Sequence, residues 1–205
     1  MMRTQRGHAL GVMLLLLAGC AAGGGDKSKD GGGISSGLTA NFVADGSPSC
    51  SGSPDGLSLR KHSVVGRIVT IGIQATDCNS SMGVFGVNFE IDFDPAIAQC
   101  AASNPCTAGT VLSAPLATAQ PICLCDNTNG HLLGSFSRTA PGGNETVSGN
   151  EDIARFALEV RQVGSGDVDF LNTGNTGGTA LISLSGGSPV AIGGLAYSGG
   201  SALGQ

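Results

Sequence analysis

The chain has no tryptophan and a single tyrosine, Tyr197, among its 205 residues. Flat polysaccharide surfaces are gripped by exposed aromatic rings, so a binding face for crystalline cellulose is excluded. Charged residues make up only 12% of the sequence while glycine reaches 35 residues, which suits short strands and turns better than long, charge-studded helices. Histidine occurs three times, and His8 falls in the N-terminal segment, leaving His62 and His131 for the rest of the chain. Neither stands in a nucleophile or metal-ligand motif, so catalysis is not expected. Basic residues are also scarce. Ten lysines and arginines stand against fifteen acids, which leaves no electrostatic footprint for nucleic acid.

What is present begins at the N-terminus. Arg3 and Arg6 precede an apolar run from Ala9 to Ala18 that ends in Leu17-Ala18-Gly19-Cys20. A basic start, a short apolar run and small residues before a cut describe a secretory signal peptide over residues 1–19. The run is about half the ~20 residues needed to span a bilayer. Leu17-Ala18-Gly19-Cys20 resembles the bacterial lipoprotein box. The resemblance implies a diacylglyceryl group on the Cys20 thiol, cleavage before Cys20 and acylation of the new amine. Ala21 stands where an aspartate would imply retention at the inner membrane, so the same resemblance places the protein in the cell envelope, at the outer membrane. Residues 20–37 then read as a lipidated tether with two glycine triplets, and residues 38–205 as one domain. A flexible coil of this length spans roughly 20–25 Å. Without the signal, eight basic residues face fifteen acidic ones, a net charge of −7, so lipid and not a polybasic patch must supply the membrane contact. Gly33-Ile34-Ser35-Ser36-Gly37 fits G-x-S-x-G. It lies in low-complexity sequence without the strand and helix that a nucleophile elbow requires, and reads as chance.

Six cysteines follow Cys20, an even number that in an exported chain predicts disulfides: Cys50, Cys78, Cys100, Cys106, Cys123 and Cys125. Cys100 and Cys106 enclose a short loop containing Asn104-Pro105, and the expected bridge joins them. Cys123 and Cys125 are too close in an extended segment to pair with each other. They are expected to reach Cys50 and Cys78, in an order left open. A metal site from Cys123, Cys125 and His131 matches no standard zinc spacing, and no metal or other cofactor is expected. Asp126-Asn127-Thr128-Asn129-Gly130 is rich in oxygen ligands, but its glycine falls one place early for an EF-hand and no glutamate closes the loop. A structural calcium there, or near 167–175, is the alternative to a plain turn.

From Leu38 onward the pattern is β. Phe85 to Phe93 carries apolar residues at every second position, with Asn88, Glu90 and Asp92 on the other face, the period of a half-buried strand. Ala154 to Arg161 repeats it, and Val64 to Ala75 forms a third strand region. Weaker strands are predicted at 38–44, 56–61, 109–112, 131–138, 167–171, 180–184 and 190–192. Asp94 and Pro95 open a predicted helical turn reaching Gln99. Six of the seven phenylalanines fall on β alternation and are assigned to the core. Some ten short strands with turn-rich spacers and no βαβ alternation predict an all-β, antiparallel β-sandwich.

Two strands carry a further resemblance. Val65-Gly66-Arg67-Ile68-Val69 is followed by Gly83 to Ile97, which contains Phe89-Glu90-Ile91-Asp92-Phe93-Asp94-Pro95, and then by Ala154-Arg155-Phe156-Ala157-Leu158-Glu159-Val160. Over roughly residues 38–200 this is similar to the cohesin domain and its relatives among cellulose-binding-type modules. The resemblance implies a jelly-roll sandwich of about nine strands that binds and does not catalyse. The chain departs from it in its cysteines and in carrying one module with no duplicated dockerin motif. The expected function is therefore a lipid-anchored envelope module that engages a protein partner. A carbohydrate-binding module that takes polysaccharide, and a structural envelope lipoprotein, are the alternatives.

Overall fold

The computed structural model describes residues 37–46, 50, 55–78, 82–113, 122–139, 143–175 and 177–205. The signal, Cys20, the tether up to residue 36 and all but the last glycine of the G-x-S-x-G match lie outside the described residues. In chain order the strands are β1 (Ala40–Ala44), β2 (Gly56–Val65), β3 (Ile68–Thr76), β4 (Met82–Val84), β5 (Gly86–Phe93), β6 (Ala98–Cys100), β7 (Cys106–Ala108) and β8 (Ile122–Asp126). They continue as β9 (His131–Ser137), β10 (Glu145–Val147), β11 (Asn150–Val160), β12 (Gly164–Leu171), β13 (Ala180–Ser185), β14 (Ser188–Ala191), β15 (Ala196–Ser198) and β16 (Gly200–Gly204). The described residues form sixteen strands in all, and five of them, β4, β6, β7, β10 and β15, have only three residues.

Two sheets face each other. The first runs β1-β16-β12-β5-β9-β8, with β13 and β14 alongside the other half of β5. The second runs β15-β2-β3-β11, with β6 and β7 end to end on the far edge of β11. A short β4–β10 pair lies beside them. All pairings between strands are antiparallel except β15 with β2.

Alternation decides which side chains meet in the middle. Val87, Phe89, Ile91 and Phe93 of β5 are buried, as are Leu57 and Leu59 of β2, Val69, Ile71 and Ile73 of β3, and Phe156 and Leu158 of β11. Phe89 stacks on Phe136 of its own sheet, with centroids 6.2 Å apart, and on Phe156 of the other sheet at 6.4 Å. This three-ring column joins the two layers, and each such ring contributes about 1.5–3 kcal/mol by leaving water.

Differences from the sequence reading have local causes. Pro95–Ile97 do form a turn, with Ala96 N donating to Asp94 Oδ1 at 2.8 Å, but Gln99 is already extended in β6. No strand covers residues 109–112; residues 110–113 form a turn. A Cβ on Gly109 would run into the backbone of Asp152 and Ile153, where β11 carries a register shift. Phe85 sits in a bend between β4 and β5 and is only half-buried, unlike Phe89 and Phe93. The β13–β14 hairpin turns on Gly186 and Gly187, with φ of 60° and 84°, the left-handed pair that a tight two-residue hairpin needs.

Candidate functional site

The outer face of the first sheet is built by residues that alternation turns away from the core. Register sets them in rows across the strands. Ile122 of β8 lies beside Ser135 of β9 and then Asn88 of β5. Leu124 lies beside Leu133 and Glu90, and Asp126 beside His131, Asp92 and Asp169. Ile122 and Leu124 are 53% and 61% exposed on a strand that pairs, among the described residues, with β9 alone. At one end a groove of about 440 Å³ opens between Phe85, Ile182 and Pro189. At the other end the face is acidic. None of the eight strands of this sheet contains a lysine or arginine, while together they carry Glu90, Asp92, Asp126, Asp167 and Asp169.

The polar groups on this face hold one another in place. Ser135 Oγ donates to Asn88 Oδ1 at 2.7 Å, and Asn172 Nδ2 donates to Glu90 Oε2. Asn172 has a left-handed φ of 48°. His131 Nε2 stands 3.9 Å from Glu90 Oε2. Asp92 and Asp169 are direct cross-strand partners. Burial, then the neighbouring carboxylates of Asp45, Asp167 and Asp92, push the Asp169 carboxyl above its ordinary range. Asp126 goes the other way. The Asn129 side chain, then the backbone N–H groups of Asn129 and Thr128, donate to its carboxylate and lower its pKa. Both its oxygens thus close the β8–β9 turn as acceptors, the plain-turn reading of that segment. No group of three or more metal-ligating side chains gathers among the described residues.

Both histidines are partly exposed and stand near carboxylates. His62 Nδ1 lies 3.3 Å from Asp152 Oδ2 on the second sheet, and Arg155 Nε donates to the same oxygen at 3.0 Å. Neither imidazole has a hydroxyl or thiol partner among the contacts of the described residues. Tyr197 is half-buried and held on several sides: its ring meets Phe170 edge-on at 5.8 Å, and its hydroxyl accepts from Gly174 N and donates to Thr179 O. The lone tyrosine is thereby committed to structure.

The cysteines form three disulfides, but not the expected ones. Cys50 pairs with Cys78, Cys100 with Cys125, and Cys106 with Cys123. The Cys100–Cys106 bridge is a misreading, as are links from Cys123 and Cys125 to Cys50 and Cys78. Cys100 and Cys106 are not turned toward each other. They sit opposite Leu158 and Phe156 of β11, two places apart on one edge, and both point into the sandwich. Cys123 and Cys125 are likewise two places apart on β8. Two parallel staples therefore bind the β8 edge of one sheet to the β6–β7 edge of the other. This also removes both thiols from the Cys123, Cys125 and His131 metal alternative.

Ile122 and Leu124 were not legible as a site. In Ile122-Cys123-Leu124-Cys125 the inward half-cystines are as apolar as the outward aliphatics, so no polar face marks a strand.

The chain matches no protein-family model and no curated protein sequence. Solved structures do resemble it. A type II cohesin domain from the cellulosome of Acetivibrio cellulolyticus superposes with a TM-score of 0.52 at 20% identity, covering 74% of this chain and 94% of that one. A cohesin in a type II cohesin–X-dockerin complex from the same organism gives 0.52 at 19%, covering 71% and 94%. A type I cohesin from Pseudobacteroides cellulosolvens gives 0.51 at 17%, covering 72% and 89%. At these identities the likeness establishes the fold: the domain is a cohesin-like jelly-roll β-sandwich.

Proposed function

We propose that this chain is a lipid-anchored module of the bacterial envelope, held at the outer membrane, whose eight-stranded sheet binds a protein partner. The observation that carries the reading is the outer face of that sheet. An exposed aliphatic edge at Ile122 and Leu124 adjoins an acidic field whose strands contain no lysine or arginine; the Lys61 ammonium of the other sheet reaches only the far edge, at Asn41 of β1. Such a face suits a partner with apolar anchors and basic side chains, because opposite charges steer encounter and set register. One of the structurally similar cohesins is held in complex with an X-dockerin, which supports a protein ligand for this fold. Polysaccharide is the weaker reading, since the lone tyrosine, Tyr197, is half-buried with its ring edge-on to Phe170.

The test uses residues 38–205 immobilised and exposed to envelope extract. The wild-type domain should retain one protein reproducibly. Ile122→Glu with Leu124→Glu should weaken that retention by more than about tenfold, the loss expected for central anchors. Ser63→Glu, exposed on β2 of the opposite sheet, should leave it unchanged. Tight binding on a glycan array with no protein retained would overturn the proposal.

A further inference from the structure

One end of the sandwich carries a second exposed surface, distinct from the partner face. The chain enters the domain there. Thr39 N donates to Gln205 O and Ala40 N donates to Gly66 O, each at 2.8 Å, so Thr39 and Ala40 lie against the β2–β3 turn and the C-terminus. Val160 N donates to Arg67 O at 2.8 Å, and Gly164 pairs with Gly204, which pairs with Ala40. The β2–β3 turn, the β11–β12 loop and the domain entry therefore converge.

This end is unusually apolar for a set of loop tips. Val65 is 76% exposed and Val163 70% exposed, with Val64 and Ile68 partly exposed beside Val65. Four of the eight exposed large aliphatics among the described residues thus lie here. Isolated exposed aliphatics are ordinary, but a cluster on the outermost turns is a contact surface. Arg67 and Arg161 flank the valines, Arg67 bridging to Glu159 at 2.6 Å. Acids border this end as well: Asp94 packs against Gly166 at the start of β12 and its N–H donates to Asp167 O at 3.3 Å, whereas Asp126 belongs to the β8–β9 hairpin, and the strand order sets β8 at the opposite edge of the sheet from β1.

We infer that this end is a membrane-facing surface, with Val65, Ile68 and Val163 seated in the interfacial layer of the bilayer that holds the anchor. The inference rests on the proposed lipidation of Cys20. Residues 21–37 then allow the domain entry only roughly 20–25 Å of root-mean-square reach from the lipid. Contacts too weak to recruit a free protein act at high effective concentration under such a tether. The aliphatic tips supply the insertion, and the two arginines sit where basic side chains snorkel toward headgroups. Seated this way, the domain would hold its partner face at a fixed angle to the membrane.

The absence of tryptophan makes the test direct. Full-length lipidated protein carrying Val65→Trp, Val163→Trp or Ser188→Trp is reconstituted into phosphatidylcholine vesicles with brominated acyl chains. Ser188, in the β13–β14 hairpin, is exposed at the opposite end of the sandwich. Emission from Val65→Trp and Val163→Trp should shift to the blue and be quenched at least about twofold more than emission from Ser188→Trp, as interfacial indoles are. The two reporters lie in separate loops, so distortion of one leaves the other readable. Protein that floats with the vesicles but shows equal quenching at all three positions would overturn this inference and leave anchoring intact. Protein that does not float would overturn the anchoring and this inference with it.

Discussion

The ring of Phe89 lies directly on the backbone of Gly134, its neighbour across the β5–β9 ladder, where any Cβ would come within 2.0 Å of the ring's Cζ. The glycine makes room for the ring at the centre of the three-phenylalanine column. Phe89→Ala should destabilise the domain by about 3–5 kcal/mol, the range for a buried phenylalanine. Gly134→Ala should also cost about 1–3 kcal/mol, because the added methyl forces the ring off its position. Asn88→Ala, on the outer face, should cost less than half of the Phe89 value. Denaturant midpoints for the three variants check the order, and equal shifts for Phe89 and Asn88 would mean the β5 register is wrong.

The proposed anchor makes a separate prediction. Cys20→Ser should release the protein from the membrane fraction or leave it as an uncleaved precursor, because stable anchoring needs more than one acyl chain and no helix among the described residues is long and apolar enough to cross a bilayer. Fractionation at wild-type size with membranes, as complete as wild type, would refute the lipid anchor.

The sandwich was legible in the sequence where one strand face is polar. Phe89, Ile91 and Phe93 alternate with Asn88, Glu90 and Asp92, and β5 appears where expected. The pattern failed where both faces are apolar, as in β8, or where a strand has too few residues to show a period, as in β6 and β7. The two-residue turn at Gly66–Arg67 leaves no mark in the apolar pattern, so Val64 and Val65 read as the start of the following strand although they end β2. The site was less legible than the fold, because the sheet's lack of basic residues becomes visible only once its strands are brought side by side. The cysteine pairing was illegible because it depends on β6, β7 and β8 lying on facing edges, which no spacing reveals.

Asp169 yields a pH prediction. Burial and three neighbouring carboxylates raise its pKa in the folded state, so folding binds a proton at acid pH and resists ionisation above it. Stability therefore falls as pH rises from the ordinary carboxylate range through the raised value. Asp169→Asn should stabilise the domain at pH 7 by about 0.2–1 kcal/mol, the scale of a like-charged cross-strand pair. The gain should vanish below the ordinary aspartate pKa of about 3.9, where wild-type Asp169 is already neutral. Thermal midpoints at neutral and acid pH decide it: a variant less stable than wild type at pH 7 would show that Asp169 is held by favourable contacts.

The staples should be cooperative. Cys106–Cys123 spans 17 residues and Cys100–Cys125 spans 25, one loop nested in the other, whereas Cys50–Cys78 spans 28 on its own. In the chain-entropy model a loop of the Cys50–Cys78 size restricts the unfolded chain by about 3–4 kcal/mol. With one inner staple closed, the other adds only the short segments 100–106 and 123–125, so removing either alone should cost about 2–2.5 kcal/mol. Removing both should cost about 5–6 kcal/mol, more than the sum of the two, because the whole loop is then released. Paired Cys→Ala variants measured by denaturant midpoint test the arithmetic. Their pairing is tested independently by mass spectrometry of non-reduced peptides. Fragments linking Cys100 to Cys125 and Cys106 to Cys123 are expected. A Cys100–Cys106 link would detach β8 from the second sheet, and with it the rigidity that holds Ile122 and Leu124 in one plane for a partner.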